Sequence, residues 1–218
     1  MGLYIGNTRY CPVIGKAETL PYDAEIEYIE TDGNAYINTG IKVTNNTRFV
    51  FDMYLPYMEA STYGCWLFGV RNSANVAQMA LMYSRSSNTR RWSWRYGTAE
   101  GTLAKEPPVG SCIIENYTTS SQRIIRINDS TITATSQTFT GTSDMYIFTL
   151  NLGSAPATNN TLVGQRLLSV KLYQGSTLAF YAVPVRVGQV GYLYDKVSGN
   201  LLGNAGSGSF TLGPDVTT

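Results

Sequence analysis

The chain of 218 residues is long enough for one generous domain or two small ones. Only 14 % of its residues are charged and the formal net charge is +1, which excludes the strongly basic surface typical of nucleic-acid-binding proteins. The chain contains no histidine, so imidazole metal ligands, Ser-His triads and histidine general bases are excluded as well. No run approaches the ~20 apolar residues of a membrane helix, and we predict no membrane insertion, no metal and no cofactor.

The N-terminal segment differs in character from the rest of the chain. Its first residues, MGLYIGNTRYCPVIG, lack a basic region followed by a continuous apolar run, so we expect no secretory signal. The polar stretch KAETLP follows at 16–21. Two interpretations of residues 1–22 stay open: a detached arm, which we favour, or the first strand of the main domain.

Three cysteines bear on the compartment. Cys11, Cys65 and Cys112 cannot all pair within one chain, and they lack the spacing of metal ligands. They therefore predict reduced thiols and assembly in a cytosol.

Beyond the arm, short alternating or continuous apolar runs recur between Gly, Asn, Ser and Pro, which is typical of an antiparallel β-sandwich. The sixteen tyrosines and the many Thr and Val residues favour strands over helices. We predict strands near 26–30, 35–37, 47–54, 65–70, 77–83, 91–96, 111–117, 123–127, 131–134, 145–150, 166–173, 178–184, 192–195 and 209–212. The predicted fold class is all-β.

Turn residues divide these strands. TDGN at 31–34 predicts a hairpin between EYIE and AYIN. NDST at 128–131 and VSGNLL at 197–202 predict two more turns. KEPPVG at 105–110 interrupts any strand because proline cannot donate to a ladder. The glycines near the C-terminus lack the lysine of a phosphate loop, so we expect them to permit close backbone packing.

An acidic stretch, EIEYIE at 25–30, raises the possibility of catalysis. Glu25, Glu27 and Glu30 have nearly the spacing of the catalytic carboxylates in laminarinases and lichenases, and a retaining glycosidase needs two carboxyls about 5–5.5 Å apart. Glu30 falls on the opposite strand face from the other two unless a bulge reverses it. The alternative, which we favour, is an exposed acidic face alternating with buried Ile26, Tyr28 and Ile29. We predict no catalytic residue and no enzymatic activity.

The motif RRWSWRYG at 90–97 alternates strictly. It places Trp92, Trp94 and Tyr96 on one strand face and Arg91 and Arg95 on the other. The three aromatics could stack on sugar rings, but three aromatics on one face more often belong to a sandwich core. We favour the core, with both arginines facing outward.

Arginines concentrate in this part of the chain. Between Glu59 and Glu100 there is no acidic residue but five arginines: Arg71, Arg85, Arg90, Arg91 and Arg95. Such a cationic surface fits acidic or sulfated glycans or an acidic neighbouring subunit; the alternative is a solvated face without a partner. The predicted carbohydrate-binding residues are Arg71, Asn72, Arg91 and Arg95, with Trp66 as an aromatic platform.

Several longer motifs resemble a known family. EYIETDGNAYINTGI (27–41) is similar to the EYIxSxGxQYIDTGI opening of the concanavalin-A-like, LamG-like domains of gut bacteria and their phages. LFGVRNS (67–73), MYIFTLN (145–151) and RLLSVKLYQGSTLAFYAVPVR (166–186) resemble later blocks of that family, as does GYLYDKVSGNLLGNAGSGSFTLGP (191–214). The resemblance covers residues 25–214. It departs from the pattern at Asn38, where the family has Asp.

The resemblance implies a two-sheet antiparallel jelly-roll sandwich that serves in carbohydrate binding or structural adhesion. We expect an N-terminal docking arm at 1–22, the sandwich at 23–214 and a short tail at 215–218. The first ~20 residues are similar to N-terminal pieces of phage structural proteins.

The resulting hypothesis is a non-enzymatic phage virion protein, assembled in the bacterial cytoplasm as a head fibre, decoration protein or tail appendage. Its arm would contact other virion proteins through Tyr4, Ile5 and Tyr10, and its sandwich would bind bacterial surface glycan. Homo-oligomerisation is expected because weak glycan sites need multivalency, with a trimer as the working assumption. The alternatives are a laminarinase-like hydrolase and a decoration protein without a ligand.

Overall fold

The computed structural model describes residues 20–58, 64–72, 78–86, 89–153, 155–157 and 162–217. Within these ranges the chain forms strands and no helix, and two antiparallel sheets pack face to face as a sandwich. The predicted all-β, jelly-roll-type architecture is therefore confirmed. No helix in the described ranges could cross a membrane. The predicted arm residues Tyr4, Ile5 and Tyr10 lie outside the described residues, as does Cys11.

The strands follow one another along the whole described chain. They are β1 (Ala24–Glu25), β2 (Ile29–Thr31), β3 (Ile37–Thr44), β4 (Thr47–Leu55), β5 (Gly64–Arg71), β6 (Gln78–Ser86), β7 (Thr89–Tyr96), β8 (Ala99–Leu103), β9 (Gly110–Thr118), β10 (Gln122–Ile127), β11 (Ser130–Thr135), β12 (Thr140–Ile147), β13 (Arg166–Gln174), β14 (Thr177–Val187), β15 (Val190–Asp195), β16 (Leu201–Leu202) and β17 (Phe210–Leu212).

The two sheets differ in size. The larger one has eleven strands in the order β11-β10-β9-β4-β13-β14-β15-β16, with β1 paired to β14 and β2 paired to both β13 and β17. The smaller one has six strands in the order β3-β12-β5-β6-β7-β8.

Every strand predicted from residue 47 onward overlaps an observed strand, although residues 148–150 of the strand predicted at 145–150 lie beyond the end of β12. The turns at 128–131 and 197–202 join β10 to β11 and β15 to β16. The hairpin predicted at 31–34 is wrong. β2 pairs with β13 and β17, whereas β3 belongs to the six-stranded sheet, so TDGN carries the chain from one sheet to the other. Of the strand predicted at 26–30, only residues 29–30 belong to a strand, β2, and Ile26 forms an isolated bridge to Asp215 just after β1 ends.

Aromatic side chains fill the space between the sheets. Trp92, Trp94 and Tyr96 are at most 1 % exposed, which confirms the core interpretation of the RRWSWRYG motif. Phe51 on β4 stacks on Phe68 on β5, with ring centroids 4.2 Å apart. Since β4 and β5 belong to different sheets, this pair joins the two layers directly.

One arginine lies inside the sandwich. Arg123 on β10 is 2 % exposed, and its guanidinium donates to the carbonyl of Asn45 and to the Tyr96 hydroxyl. It also lies over the Tyr96 ring, 4.9 Å from the centroid. Its partners are dipoles rather than a carboxylate, so it holds the loop between β3 and β4 against β7 and β10.

Cys65 on β5 and Cys112 on β9 are free, buried thiols. Burial raises the pKa of the Cys65 thiol and raises that of Cys112 to about 12. Both groups are therefore protonated and shielded at neutral pH.

The C-terminal glycine loop packs against the crossover at 32–36. The Asp32 carboxylate accepts hydrogen bonds from the backbone of Asn34, Ala35 and Ser209. The Asn204 amide bonds to Tyr36 N, Gly206 and Gly208 O. A Cβ on Gly206 would collide with the Asn34 carbonyl. The glycines thus permit the close packing that the sequence predicts.

Candidate functional site

The predicted glycan-binding residues lie on the six-stranded sheet. Trp66 and Arg71 belong to β5 and Arg91 and Arg95 to β7, and Asn72 follows β5 directly. All four strand residues point away from the core between the sheets, because their neighbours Cys65, Val70, Trp92, Trp94 and Tyr96 fill that core. We call the outward surface of β5–β8 the arginine face.

A bulge in β5 brings Trp66 and Arg71 to this same face. The register against β6 shifts by one residue between Trp66 and Phe68. Without that shift, residues 66 and 71 would point to opposite faces, because side chains alternate along a strand. The bulge turns Phe68 and Val70 into the core instead.

Cross-strand register arranges the arginine face in rows. The central row runs from Gly69 on β5 to Ala80 on β6, Arg95 on β7 and Glu100 on β8. A second row runs Trp66, Met82, Ser93 and Thr102, and Arg91 lies opposite Ser84. The middle of the face therefore has a floor of small residues, Gly69 and Ala80, with Arg95 next to them in the same row.

The three arginines of this face, Arg71, Arg91 and Arg95, form no ion pair in the described part of the chain. Arg91 is exposed, while Arg71 and Arg95 are half-buried. Glu100 lies directly across from Arg95, but its carboxylate accepts a hydrogen bond from the Ser93 hydroxyl. The Arg95 Nε is buried and has no hydrogen-bond acceptor among the described residues.

Trp66 lies beneath Arg95. The guanidinium stands 5.6 Å from the Trp66 ring centroid. Trp66 is only 6 % exposed because it packs with Ala80 and with Leu150, which follows β12. In this arrangement Trp66 supports and orients Arg95, and it does not present an open ring to solvent. Whether these residues bind glycan stays a prediction.

Arg90, which precedes Arg91 on β7, does have an acidic partner. Arg90 forms an ion pair with Glu106 and its guanidinium lies 5.6 Å from the Tyr57 ring centroid. The Tyr83 hydroxyl donates to the same carboxylate at 3.4 Å. Burial of the hydroxyl, and next the negative charge of Glu106, raise the pKa of Tyr83. Arg90 is therefore neutralised locally, in contrast to Arg91.

The acidic stretch lies on the eleven-stranded sheet, where Glu25 and Glu30 form ion pairs with different basic side chains. Glu25 on β1 accepts from Lys196 Nζ at 2.9 Å, and Glu30 on β2 accepts from Arg166 Nε at 2.6 Å. Glu27 is exposed between them, while Ile26 and Ile29 are buried and Tyr28 is half-buried. This pattern agrees with an acidic surface. A hydrolase would instead require β-glucan turnover that is lost in Glu25→Gln, and such a result would replace the function proposed below.

Sequence reasoning missed two features beside the arginine face. The rings of Tyr36 and Tyr146 stack with centroids 4.9 Å apart, although 110 positions separate them in the chain. Residues 148–151 turn back over β5, with Asn151 N donating to Gly69 O at 3.1 Å, and place Leu150 on the small-residue floor. No local sequence pattern predicts either contact. Asn38, the departure from the family motif, accepts from Gly40 N at 3.0 Å in a local turn.

Comparisons with known proteins add no relative. A scan against models of protein families finds no match to the chain, and a search of curated proteins finds no significantly similar sequence. The described residues also contain no group of three or more Cys, Asp or Glu side chains that could hold a metal ion. The family assignment therefore remains a resemblance, and it enters the function as a proposal.

Proposed function

We propose that the chain is a non-enzymatic structural protein of a phage virion, a capsid-attached fibre or decoration protein or a tail appendage, whose sandwich binds bacterial surface glycan. The resemblance of residues 25–214 to concanavalin-A-like domains of gut bacteria and phages supports the setting. The two-sheet sandwich agrees with that family's fold. Because fold alone does not supply a ligand, the proposal depends on the site.

The observation that carries the proposal is the arginine face, whose three arginines have no acidic partner among the residues that the structure describes. A guanidinium offers a planar fork of donors that matches the oxygens of carboxylate or sulfate groups. Stacking on Trp66 fixes the Arg95 guanidinium before any ligand arrives, which lowers the entropy that binding must overcome. The expected ligand class is an acidic glycan that carries uronate or sulfate groups.

The N-terminal segment would attach the sandwich to the particle. An extended apolar arm can add a strand to a partner's sheet, and Tyr4, Ile5 and Tyr10 are the residues proposed for that contact. The sandwich itself begins near residue 22, since the Tyr22 ring packs on Tyr194 with centroids 5.0 Å apart. Deleting residues 1–19 should therefore abolish incorporation into particles and leave thermal unfolding of the sandwich unchanged; unfolding of the truncated chain would contradict the docking role.

The binding experiment is a glycan-array screen of the full chain with two double variants. Arg91→Ala/Arg95→Ala removes two charges from the arginine face. Arg48→Ala/Arg126→Ala, the matched control, removes two charges from the outer face of the eleven-stranded sheet. We expect acidic glycans to bind the wild type and the control and to lose at least about tenfold in affinity with the first variant. An array without any bound glycan would leave a decoration protein without a ligand.

A further inference from the structure

We infer that the chain has a second ligand site, a cleft for an uncharged sugar, at the junction of the crossover loop and the C-terminal glycine loop. The cleft encloses about 280 Å³. Its walls come from three parts of the chain: residues 33–36, Thr149 with Pro156 and Ala157, and residues 205–207. It lies apart from the arginine face and the inference stands on the cleft alone.

The polar side chains around this cleft fall into two groups. Asp32, Asn204 and Thr149 form hydrogen bonds with backbone groups of the segments around the cleft, so they fix its shape. Asn34, Tyr36 and Ser207 line the cleft, and their side chains have no hydrogen-bond partner among the described residues. The first group holds the second group in place.

The backbone of the lining residues is well fixed. Tyr36 N donates to Asn204 Oδ1 at 3.1 Å, and Ala205 N donates to Tyr36 O at 2.9 Å. The Tyr36 ring has Tyr146 on one face, and a Cβ on Gly206 would lie 2.9 Å from the ring's Cδ1. Tyr36 is thus held by contacts with Tyr146 and Gly206, and a ligand would meet a site that is already formed.

The chemistry of the lining selects the ligand class. Asn34, Tyr36 and Ser207 each donate and accept hydrogen bonds, as the hydroxyls of a sugar do. Pro156, Ala157 and Ala205 supply small apolar surfaces for C–H groups. No charged side chain lines the cleft among the described residues, and the Asp32 oxygens are already occupied by backbone donors. Anions and cations therefore find no counter-charge.

Size agrees with this class. Pockets for small-molecule ligands begin at about 300 Å³, and this cleft is just below that limit. It suits one sugar residue, with the rest of a glycan chain extending into solvent. Binding of a single sugar is then expected to be weak, in the millimolar range (about 1–10 mM).

The test is a nuclear magnetic resonance titration of the full ¹⁵N-labelled chain with four uncharged probes. These are the methyl glycosides of glucose, galactose, mannose and N-acetylglucosamine, each raised to about 50 mM. We expect at least one probe to shift the amide signals of 33–36 and 205–207 in a saturable manner. Absence of saturable shifts in these loops with all four probes would overturn the inference.

Variants connect the shifts to the cleft. Ser207→Trp fills it from an exposed position and should weaken binding at least about tenfold, while Asn34→Ala removes one hydrogen bond and should weaken it about fivefold. Thr131→Ala, exposed on β11, is the control and should bind as the wild type does. Unaltered signals elsewhere establish that the variants fold. Wild-type affinity in Ser207→Trp would contradict the assignment.

The two sites can fail independently. Arg91→Ala/Arg95→Ala should leave binding of the uncharged probe unchanged, and Ser207→Trp should leave binding of acidic glycans unchanged. If Arg91→Ala/Arg95→Ala abolished binding of both the acidic glycan and the uncharged probe, the cleft would not be a separate site. If neither variant weakened binding of the methyl glycoside, the cleft assignment would be wrong and the arginine-face proposal would stand.

Discussion

The basic side chains on the outer faces of the two sheets differ in their partners. On the eleven-stranded sheet, Arg126 pairs with Glu115, Arg166 with Glu30 and Lys196 with Glu25. Other cations there lie over rings, Arg48 at 5.4 Å from the Tyr173 centroid and Lys171 at 4.7 Å from that of Tyr181. On the six-stranded sheet, the three arginines of the arginine face have no acidic partner in the described chain.

This contrast distinguishes basic side chains that stabilise the fold from those that can bind a ligand. A cation that contacts a carboxylate and tyrosine rings of its own sheet contributes to the folded state, and little of its binding capacity remains for a ligand. A cation without a carboxylate contributes little to stability but keeps its donors for a ligand. Arg123, buried between the sheets, is a third case in which the donors satisfy backbone and hydroxyl oxygens. Substitutions should therefore separate stability from binding.

The largest loss of stability is expected for Arg123→Ala. It removes the guanidinium donor from the Tyr96 hydroxyl, leaves the Asn45 carbonyl with the Tyr96 hydroxyl as its remaining side-chain donor, and opens a cavity, which should lower the free energy of unfolding by about 2–4 kcal/mol. Urea unfolding of this variant beside Arg91→Ala measures the difference. Equal stability of the two variants would show that the buried guanidinium is dispensable.

A smaller loss is expected for Arg166→Ala on the eleven-stranded face. Arg166 pairs with Glu30 and lies 4.3 Å from the Tyr28 centroid and 4.8 Å from the Tyr54 centroid. Removing one partly exposed ion pair and two ring contacts should lower the free energy of unfolding by about 1–2 kcal/mol. Arg126→Ala, which loses only a more exposed pair, is the control and should cost less. The reverse order would contradict the role assigned to the ring contacts.

The smallest effect concerns Asp52 on β4, a half-buried carboxylate of the same face that has no hydrogen bond or ion pair among the described residues. Burial raises its pKa above the ordinary 3.8. A carboxyl with a raised pKa in the folded state binds its proton more tightly there, so its charged form disfavours folding as pH rises through the raised value. Asp52→Asn should therefore stabilise the chain at pH 7 by less than about 1 kcal/mol.

The pH dependence provides the check on that prediction. The stability difference between Asp52→Asn and wild type should vanish as pH falls below 3.8, where the wild-type carboxyl is protonated in both states. Asp129→Asn, exposed in the turn between β10 and β11, is the matched control. Destabilisation by Asp52→Asn at pH 7 that disappears at acidic pH would show instead that the Asp52 carboxylate has a favourable partner.

Local sequence patterns predicted most of the fold. The period-two pattern at 91–96 correctly placed Trp92, Trp94 and Tyr96 in the core, because alternation alone decides strand faces. TDGN correctly marked a break between two strands, but the hairpin predicted there is wrong because turn chemistry cannot specify the partner strand, and β2 pairs with β17 from the far end of the chain. β8 was missed because AEGTL lacks a strong strand pattern; its Gly101 allows the Thr133 carbonyl of β11 to approach closely.

The candidate sites were less predictable. Alternation put Arg91 and Arg95 on one face, but bringing Trp66 and Arg71 to that face required the β5 bulge, which the sequence does not mark. The burial of Trp66 under Leu150 depends on a long-range contact. The cleft depends on three segments that are distant in the chain, the first of them more than a hundred residues from the other two, and only the glycines of 203–208 indicated close packing there.

The central claim is that the arginine face is the surface that binds acidic glycans. The most direct measurement is calorimetric titration of dextran sulfate into wild type, Arg91→Ala/Arg95→Ala and Arg48→Ala/Arg126→Ala at several salt concentrations. We predict at least about tenfold weaker binding and a reduced salt dependence for the first variant only, with unchanged thermal unfolding. Equal losses in both double variants would show that net charge, and not this face, determines binding.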